Sequence, residues 1–252
     1  MSKVFDAYAA YYDLLYQDKD YKSEVDYVVS LLNKYKVFDG KILELGCGTG
    51  KHAEIFADFK YAIHGIDSSI SMINNANTQN RKNNVSFEVG DVRNFKTEDL
   101  FDAVVSLFHV TSYQTRNKDL IDMFNTASKH IKKGGLFIFD FWYGPAVLNE
   151  KPSVRVKHMS DTLFEAERTA MPELNFNENT VNVNFKVSIK NKENNDVKHI
   201  EESHLMRYLF LPELRYFLNQ ADLEILESLS WMSKKELGLN DWQGIIVARK
   251  KV

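Results

Sequence analysis

The sequence predicts an α/β fold: a mostly parallel sheet flanked by helices, an inserted small antiparallel sheet, and an N-terminal helical lid. Three observations carry this. Strand-like and helix-like runs alternate across residues 41–141, a glycine-rich turn follows the first of those strands, and hydrophobicity switches to a period of two after Pro152. Such alternation builds βαβ units and hence a parallel sheet.

Taken in order, Phe5 to Tyr16 is helix-compatible and aromatic, with Tyr8, Tyr11, Tyr12 and Tyr16 close together. Val25, Val28, Val29 and Leu32 give Tyr21 to Lys34 a helical spacing. Asp39-Gly40 punctuates the chain before a short buried strand, Lys41 to Leu45. Further strands are expected at Tyr61 to Ile66, Val85 to Val89, Phe101 to Leu107 and Leu136 to Phe141. Helices are expected between them at Lys51 to Phe59, Ser69 to Thr78 and Lys118 to Ile131, the last stopped by Lys132-Lys133-Gly134-Gly135.

From Val181 to Lys190 apolar and polar residues alternate, which gives a strand one dry face and one wet face. Val154 to Lys157, Leu163 to Thr169 and Val197 to Leu209 are its expected partners, with a turn at Asn194-Asn195-Asp196. Pro212 starts a helix through Asn219, and Leu223 to Leu229 and Ile245 to Arg249 close the main sheet. The expected organisation is a lid over 1–40, an α/β domain over 41–151 and 212–252, and an inserted sheet over 152–211.

The 252 residues are 44% hydrophobic, enough for a sizeable core, and the formal net charge of −3 lacks the basic footprint of a nucleic-acid binder. Cys47 is the only cysteine, so neither an intramolecular disulfide nor a multi-cysteine metal site is expected. The chain opens without a basic-then-apolar leader and has no membrane-length apolar run, so a cytoplasmic protein is expected.

The chemistry concentrates in Glu44-Leu45-Gly46-Cys47-Gly48-Thr49-Gly50, which leads directly into a helix. Glycines permit a tight turn and let a ligand lie on bare backbone, and free N–H groups at a helix start suit a carboxylate or other anion. A dinucleotide fingerprint spaces its glycines G-x-G-x-x-G, whereas the third glycine here comes one residue early. Asp67, about 20 residues on, ends a strand where a carboxylate can accept from ribose hydroxyls. It could equally cap the helix that begins near Ser69. Asp91 with Val92 follows the third strand, suited to an adenine edge.

The ordered set of E-x-G-x-G-x-G, a strand-end aspartate and G-D-V resembles the class I S-adenosyl-L-methionine (SAM)-dependent methyltransferases. That resemblance implies a Rossmann-like seven-stranded sheet with SAM as cofactor. It further implies that Gly46, Cys47 and Gly48 line the methionine moiety, and that Asp67 and Ser68 meet the ribose. Asp91 and Val92 would hold adenine, while Leu107, Phe108 and His109 would flank the sulfonium. Glu44 would brace the loop or meet the ligand's amino group through water. A nucleophilic role for Cys47 is not expected, since no basic partner stands near it in sequence.

Nucleic-acid amino methyltransferases carry an Asn/Asp-Pro-Pro-aromatic tetrapeptide after the fourth strand. Here Ser106 to Tyr113 contains no proline, which points to a small-molecule acceptor. A closer likeness joins Tyr12-Asp13-Leu14-Leu15-Tyr16, Lys19-Asp20-Tyr21, His52, Asp140-Phe141-Trp142-Tyr143 and the inserted sheet. These segments resemble nucleotide-linked amino-sugar N-methyltransferases. By that likeness Tyr12 and Tyr16 approach the SAM and the acceptor amine, and Trp142 and Tyr143 wall the substrate cavity. Arg155, Lys157, Arg168 or Arg207 would meet a pyrophosphate. Where those enzymes place a late-loop histidine this chain has Tyr113, with His109 earlier, so His109 is a candidate general base and equally a structural histidine. The apolar neighbours of the inserted-sheet cations could equally form a homodimer surface. Alternatives left open are another small amine or hydroxyl acceptor, an NAD-linked oxidoreductase and a non-catalytic SAM-binding protein.

Overall fold

The computed structural model describes residues 12–251. Of the expected aromatic helix, α1 (Tyr12–Leu15) is described, and Tyr8 and Tyr11 lie outside the described residues. Next come α2 (Tyr21–Lys34), β1 (Gly40–Leu45), α3 (Lys51–Phe56), β2 (Tyr61–Asp67), α4 (Ile70–Gln79), β3 (Val85–Val89) and β4 (Phe101–Ser106). A single 3-10 turn (Val110–Tyr113) separates β4 from α5 (Asn117–His130) and β5 (Ile131–Tyr143). Then follow α6 (Gly144–Asn149), β6 (Arg155–Ser160), β7 (Phe164–Asn175), β8 (Thr180–Asn191) and β9 (Val197–Leu209). The chain closes with α7 (Leu211–Gln220), β10 (Leu223–Ser230) and β11 (Gln243–Lys250).

The central strands run β3-β2-β1-β4-β5, all parallel, with β11 antiparallel against β5 and β10 beyond it. Strand residues point alternately to the two faces, so two separate cores form. Ile42, Val105, Leu136, Ile138, Ile245 and Val247 face α2 and α3. Leu43, Val104, Phe137, Phe139, Ile246 and Ala248 face α5 and α7. On the second face Phe137 and Phe139 lie 4.7 Å apart between ring centroids, with Phe141 continuing the row.

β6 to β9 form an antiparallel meander that joins the central sheet through Trp142↔Tyr208 and Tyr143↔Leu209. Its inner face carries Met159, Ala166, Val187, Ile189 and Ile200, which pack with Leu14 and Leu15 of α1 and Met72 of α4.

Three elements differ from expectation: β7 runs on to Asn175, past the expected Thr169, α6 stands where no element is expected, and β5 starts early. Lys132-Lys133-Gly134-Gly135 does not cap a helix: α5 ends at His130, and these residues form an irregular start of β5. The pairing with β4 slips between Phe101↔Ile131 and Ala103↔Leu136, and Gly134 at φ +76° makes the bulge possible.

Candidate active site

The chain leaves β1 and turns through Gly46 to Gly50 onto α3. The Gly46 and Cys47 amides both donate to the Ile66 carbonyl, at 2.8 and 2.9 Å, which pins the turn to the end of β2. Gly46 has φ +78°, and a Cβ there would stand 2.5 Å from Val110 Cγ2; no other residue fits. Around Gly48 the opposite holds: a Cβ would meet nothing within 4 Å. That open side belongs to a pocket lined by Tyr12, Cys47, Gly48, Leu107 and Phe108 among others.

Beneath the loop lies a row of buried ionisable groups. Glu44 is 1% exposed, and its Oε2 has no hydrogen-bond partner among the described residues. Burial, helped by the charge of Asp67, pushes its carboxyl up to about 8. His52 Nδ1 is 3.6 Å away, too far for a hydrogen bond; His52 Nε2 instead meets Glu24 Oε2 at 2.8 Å. Burial pushes His52 toward its neutral form, against the pull of Glu24. Glu24 stays ionised in spite of burial because His52 and Lys19 both contact it. Burial also raises the Cys47 thiol well above its usual range, with Glu44 and Asp67 adding to it, so Cys47 is no nucleophile.

Asp67 does two things at once. Its Oδ2 accepts from the Gly48 amide at 3.0 Å and its Oδ1 from the Ser69 amide at 2.9 Å, while Ser68 is exposed beside it. The helix-capping side chain is Ser69, whose Oγ accepts from Met72 N. Asp91 is held by Arg93, whose Nε and Nη2 reach its two oxygens at 2.9 and 2.5 Å, and this contact keeps the carboxyl low. Val92 is buried next to it.

In the turn after β4, Leu107 is buried and Phe108 and His109 both take left-handed backbone angles, φ +66° and +67°. Such paired strain at non-glycine residues needs a clamp, and Asp140 supplies it by accepting from the His109 amide at 2.9 Å. Burial opposes charge on Asp140, yet His109 and its hydrogen bonds outweigh that and keep the carboxyl low. His109 Nδ1 lies 3.0 Å from Asp140 Oδ2 but out of line for a hydrogen bond. Tyr16 meets the Phe108 ring edge-on at 5.0 Å and lies 4.7 Å from Tyr12, and the Lys19 ammonium stands 4.3 Å over Phe108. Arg168, from the inner face of the meander, is stacked on both Tyr16 and Phe185 at 5.1 and 5.3 Å.

Two expected site residues belong elsewhere. Tyr143 does not wall the cavity with Trp142, because successive strand residues face opposite sides. Trp142 meets His109 edge-on at 6.0 Å, whereas Tyr143 meets Phe141 edge-on at 6.3 Å and packs against the core under α7. Arg207 is not a phosphate ligand: it is buried and spans Asn117 Oδ1 at 2.8 Å and Glu213 Oε2 at 2.7 Å, tying β9 to α5 and α7. Arg155 is exposed on β6, in the cross-strand row of Phe185 and Glu202. Tyr113 hydrogen-bonds His204 Nδ1 at 2.7 Å, and His204 Nε2 reaches Glu202 Oε2 at 3.0 Å. Sequence reasoning missed His204 and Glu202. Their signal was two polar residues in the dry register of Ile200, Met206 and Tyr208.

The pocket fits a ligand bearing an amino acid moiety. Beneath the loop, Glu44 Oε2 is an enclosed acceptor without a partner among the described residues, and the backbone around Gly48 leaves room that a side chain would fill. Comparison with known proteins agrees: residues 42–135 match the family model described as a methyltransferase domain. A dTDP-3-amino-3,4,6-trideoxy-α-D-glucopyranose N,N-dimethyltransferase from Streptomyces venezuelae is 24% identical over 229 residues, 86% of this chain and 90% of that one. A dTDP-3-amino-3,6-dideoxy-α-D-glucopyranose N,N-dimethyltransferase from Streptomyces fradiae is 26% identical, over 54% of each chain. Among solved structures, an S-adenosylmethionine-dependent methyltransferase from Clostridium acetobutylicum superposes with a TM-score of 0.81 at 22% identity, covering 98% of this chain and 99% of that one. The SAM-bound amino pentose methyltransferase CalS10 from Micromonospora echinaspora gives 0.77 at 19% identity, covering 100% and 99%. At such identities the structural likeness speaks for the fold.

Proposed function

We propose that this chain, a methyltransferase that draws its methyl group from SAM, methylates an amine carried by a nucleotide-linked amino sugar. Bound SAM supplies an electrophilic methyl on a sulfonium, a very good leaving group, so placing an acceptor lone pair in line does most of the catalytic work. In this reading the backbone of Gly46, Cys47 and Gly48 holds the methionine end, and Glu44 takes its ammonium. Asp67 takes the ribose, and Asp91 with Val92 borders the adenine. In this reading residues 41–151 and 212–252 form the cofactor domain, 152–211 receives the sugar nucleotide, and the 1–40 segment, of which 12–40 are described, acts as a lid over both, in a cytoplasmic enzyme. Val156 and Leu205, exposed on the outer face of the meander, would seat a second copy, which sedimentation velocity reads directly.

The observation that carries the acceptor class is Arg168. It is sandwiched between Tyr16 of the lid and Phe185 of the meander. Lys157 shares its cross-strand row and Arg155 stands in the next. Cations on one face, turned toward the aromatic lid, suit a diphosphate, and the planar guanidinium suits it best. The name of the Streptomyces venezuelae relative, a dTDP-amino-sugar N,N-dimethyltransferase, supports the same class.

The test is turnover with SAM and a dTDP-amino sugar, read by product mass, with the free amino sugar as control. Arg168→Ala should raise KM for the sugar nucleotide about 10- to 100-fold, the loss of a charge-assisted hydrogen bond. It should leave SAM affinity and the slow reaction of the free amino sugar unchanged. Equal loss with both acceptors would reduce Arg168 to lid packing, and absence of N-methylated product would end the amino-sugar reading.

A further inference from the structure

We infer that Lys19 sets the preference of this pocket between SAM and its demethylated product, S-adenosylhomocysteine: its ammonium weakens binding of the form that carries a positive charge at sulfur. This rests on the placement proposed above, with the methionine end of the cofactor against Gly46 to Gly48. It does not depend on what the acceptor is.

A lysine at the edge of a helix usually keeps its ammonium in water, because that charge is costly to bury. Lys22, three residues on, does so, with its side chain 72% exposed. Lys19 does not, and only 11% of its side chain is exposed. Its backbone is fixed on both sides. The Lys19 amide donates to the Tyr16 carbonyl and its carbonyl accepts from the Tyr21 amide, each at 3.0 Å. Asp20, next to it, caps α2 by accepting from the Ser23 amide. From this fixed point the side chain runs inward, where its ammonium pairs with Glu24. The same ammonium lies 4.3 Å from the Phe108 ring centroid and 5.0 Å from that of Tyr21.

Glu24 is itself held from the other side, by His52 Nε2 of α3 at 2.8 Å from its second oxygen. The ion pair is therefore pinned, and its two ends face different surroundings. The cationic end lies against Phe108 and Tyr21, which line the pocket together with Gly46, Cys47 and Gly48. The anionic end is turned to His52, on the side of Glu44. An exposed pair would be screened by water and salt, whereas an enclosed one keeps its field.

The sulfur of SAM is a few bonds from its amino acid end, so a ligand seated on the glycine loop carries it into the pocket that Phe108 walls. An aromatic face attracts a cation, but the Phe108 ring already carries one, and a second meets repulsion from the first. Glu24 offsets part of that repulsion. S-adenosylhomocysteine is a neutral thioether at the same position and meets none. The two ligands share their carboxylate and ammonium, so the contacts of the glycine loop and of Glu44 cancel in the ratio of their affinities. What remains in that ratio is the charge at sulfur and the groups that respond to it.

Calorimetric titration of Lys19→Met with SAM and with S-adenosylhomocysteine, without any acceptor, tests this. Methionine keeps most of the side chain's length and removes its charge. The Kd for SAM should fall about three- to tenfold relative to that for S-adenosylhomocysteine, the size of one partly enclosed cation–ring contact. Lys19→Arg, which keeps the charge, should keep the wild-type ratio. A lysine that only ties the chain ahead of α2 to α3 would move both ligands together, and an equal change in both overturns the inference. A ratio that shifts the other way overturns it too, as does an arginine variant that behaves like the methionine one. Glu44→Gln tells failure of the placement from failure of Lys19, since it should weaken both ligands alike. If it weakens neither, the methionine end lies elsewhere and the inference falls with the placement. If it weakens both while Lys19→Met leaves the ratio at its wild-type value, the role of Lys19 alone is overturned.

Discussion

Glu44 shows what a single enclosed group can report. Its carboxyl sits near 8 against an ordinary 4.5, because burial penalises the charge and Asp67 adds repulsion. In the ligand-free protein at pH 7 it is therefore mostly a neutral acid. An ammonium placed at its unpartnered Oε2 favours the carboxylate, so SAM binding must expel a proton. Calorimetry at pH 7 in buffers of different ionisation enthalpy should read release of close to one proton, and Glu44→Gln should erase the buffer dependence. A buffer-independent enthalpy in the wild type would place the ammonium elsewhere. Stability follows the same linkage. A raised folded-state value means that the contribution of Glu44 is complete below about 4.5 and is lost as pH climbs to about 8. The ligand-free Tm should therefore lose ground across that window, and Glu44→Gln should flatten the slope.

At the scale of elements, the loop after β1 and the turn after β4 are built against each other. Gly46 is the contact point, where an added Cβ meets Val110 at 2.5 Å in a backbone conformation that penalises any side chain. Gly46→Ala should weaken SAM binding at least tenfold, since clash and left-handed strain cost about 1–3 kcal/mol each. Val110→Ala in the same chain removes the nearest clashing methyls and should recover part of the loss, with the left-handed cost remaining. Full recovery, or none, would separate the two causes differently. The same elements show what the sequence could reveal. The strand–helix alternation located β2, β3 and α2 to within a residue, because buried parallel strands and amphipathic helices leave strong patterns. Lys132 to Gly135 misled because a basic pair before glycines suits a helix end and a bulged strand alike. Arg207 misled because the period-two rule assigns its face to water, whereas at the root of β9 that face is covered by α5 and α7. His204 and Glu202 were legible only as polar interruptions, since their meaning depends on Tyr113, about ninety residues earlier in the chain.

At the scale of the whole molecule, the cofactor half and the meander share little backbone pairing. β5 and β9 meet through two residue pairs. The rest of the junction is made of side chains around α1, whose Leu15 is fully buried among Met159, Val187, Ile189 and Ile200 on one side and Met72 on the other. The Lys157–Asp18 ion pair also crosses it, but at 35% and 61% exposure it adds little. The apolar cluster is therefore what sets α1 against both halves, and Tyr12 and Phe108 hang from it at the pocket. Ile189→Ala tests this, because Ile189 lies in the middle of that cluster on β8, outside the glycine loop. Removing a buried isoleucine costs about 2–5 kcal/mol, and here the loss should appear at the junction before it appears globally. Cleavage within residues 12–20 should accelerate, KM for the acceptor should rise, and saturating SAM should restore most of the protection. Ile189→Val, which keeps most of the volume, should lie close to the wild type. A lower Tm with unchanged local cleavage and unchanged KM would mean that the meander folds with the core as one rigid block, and that α1 has no separate part in closing the site.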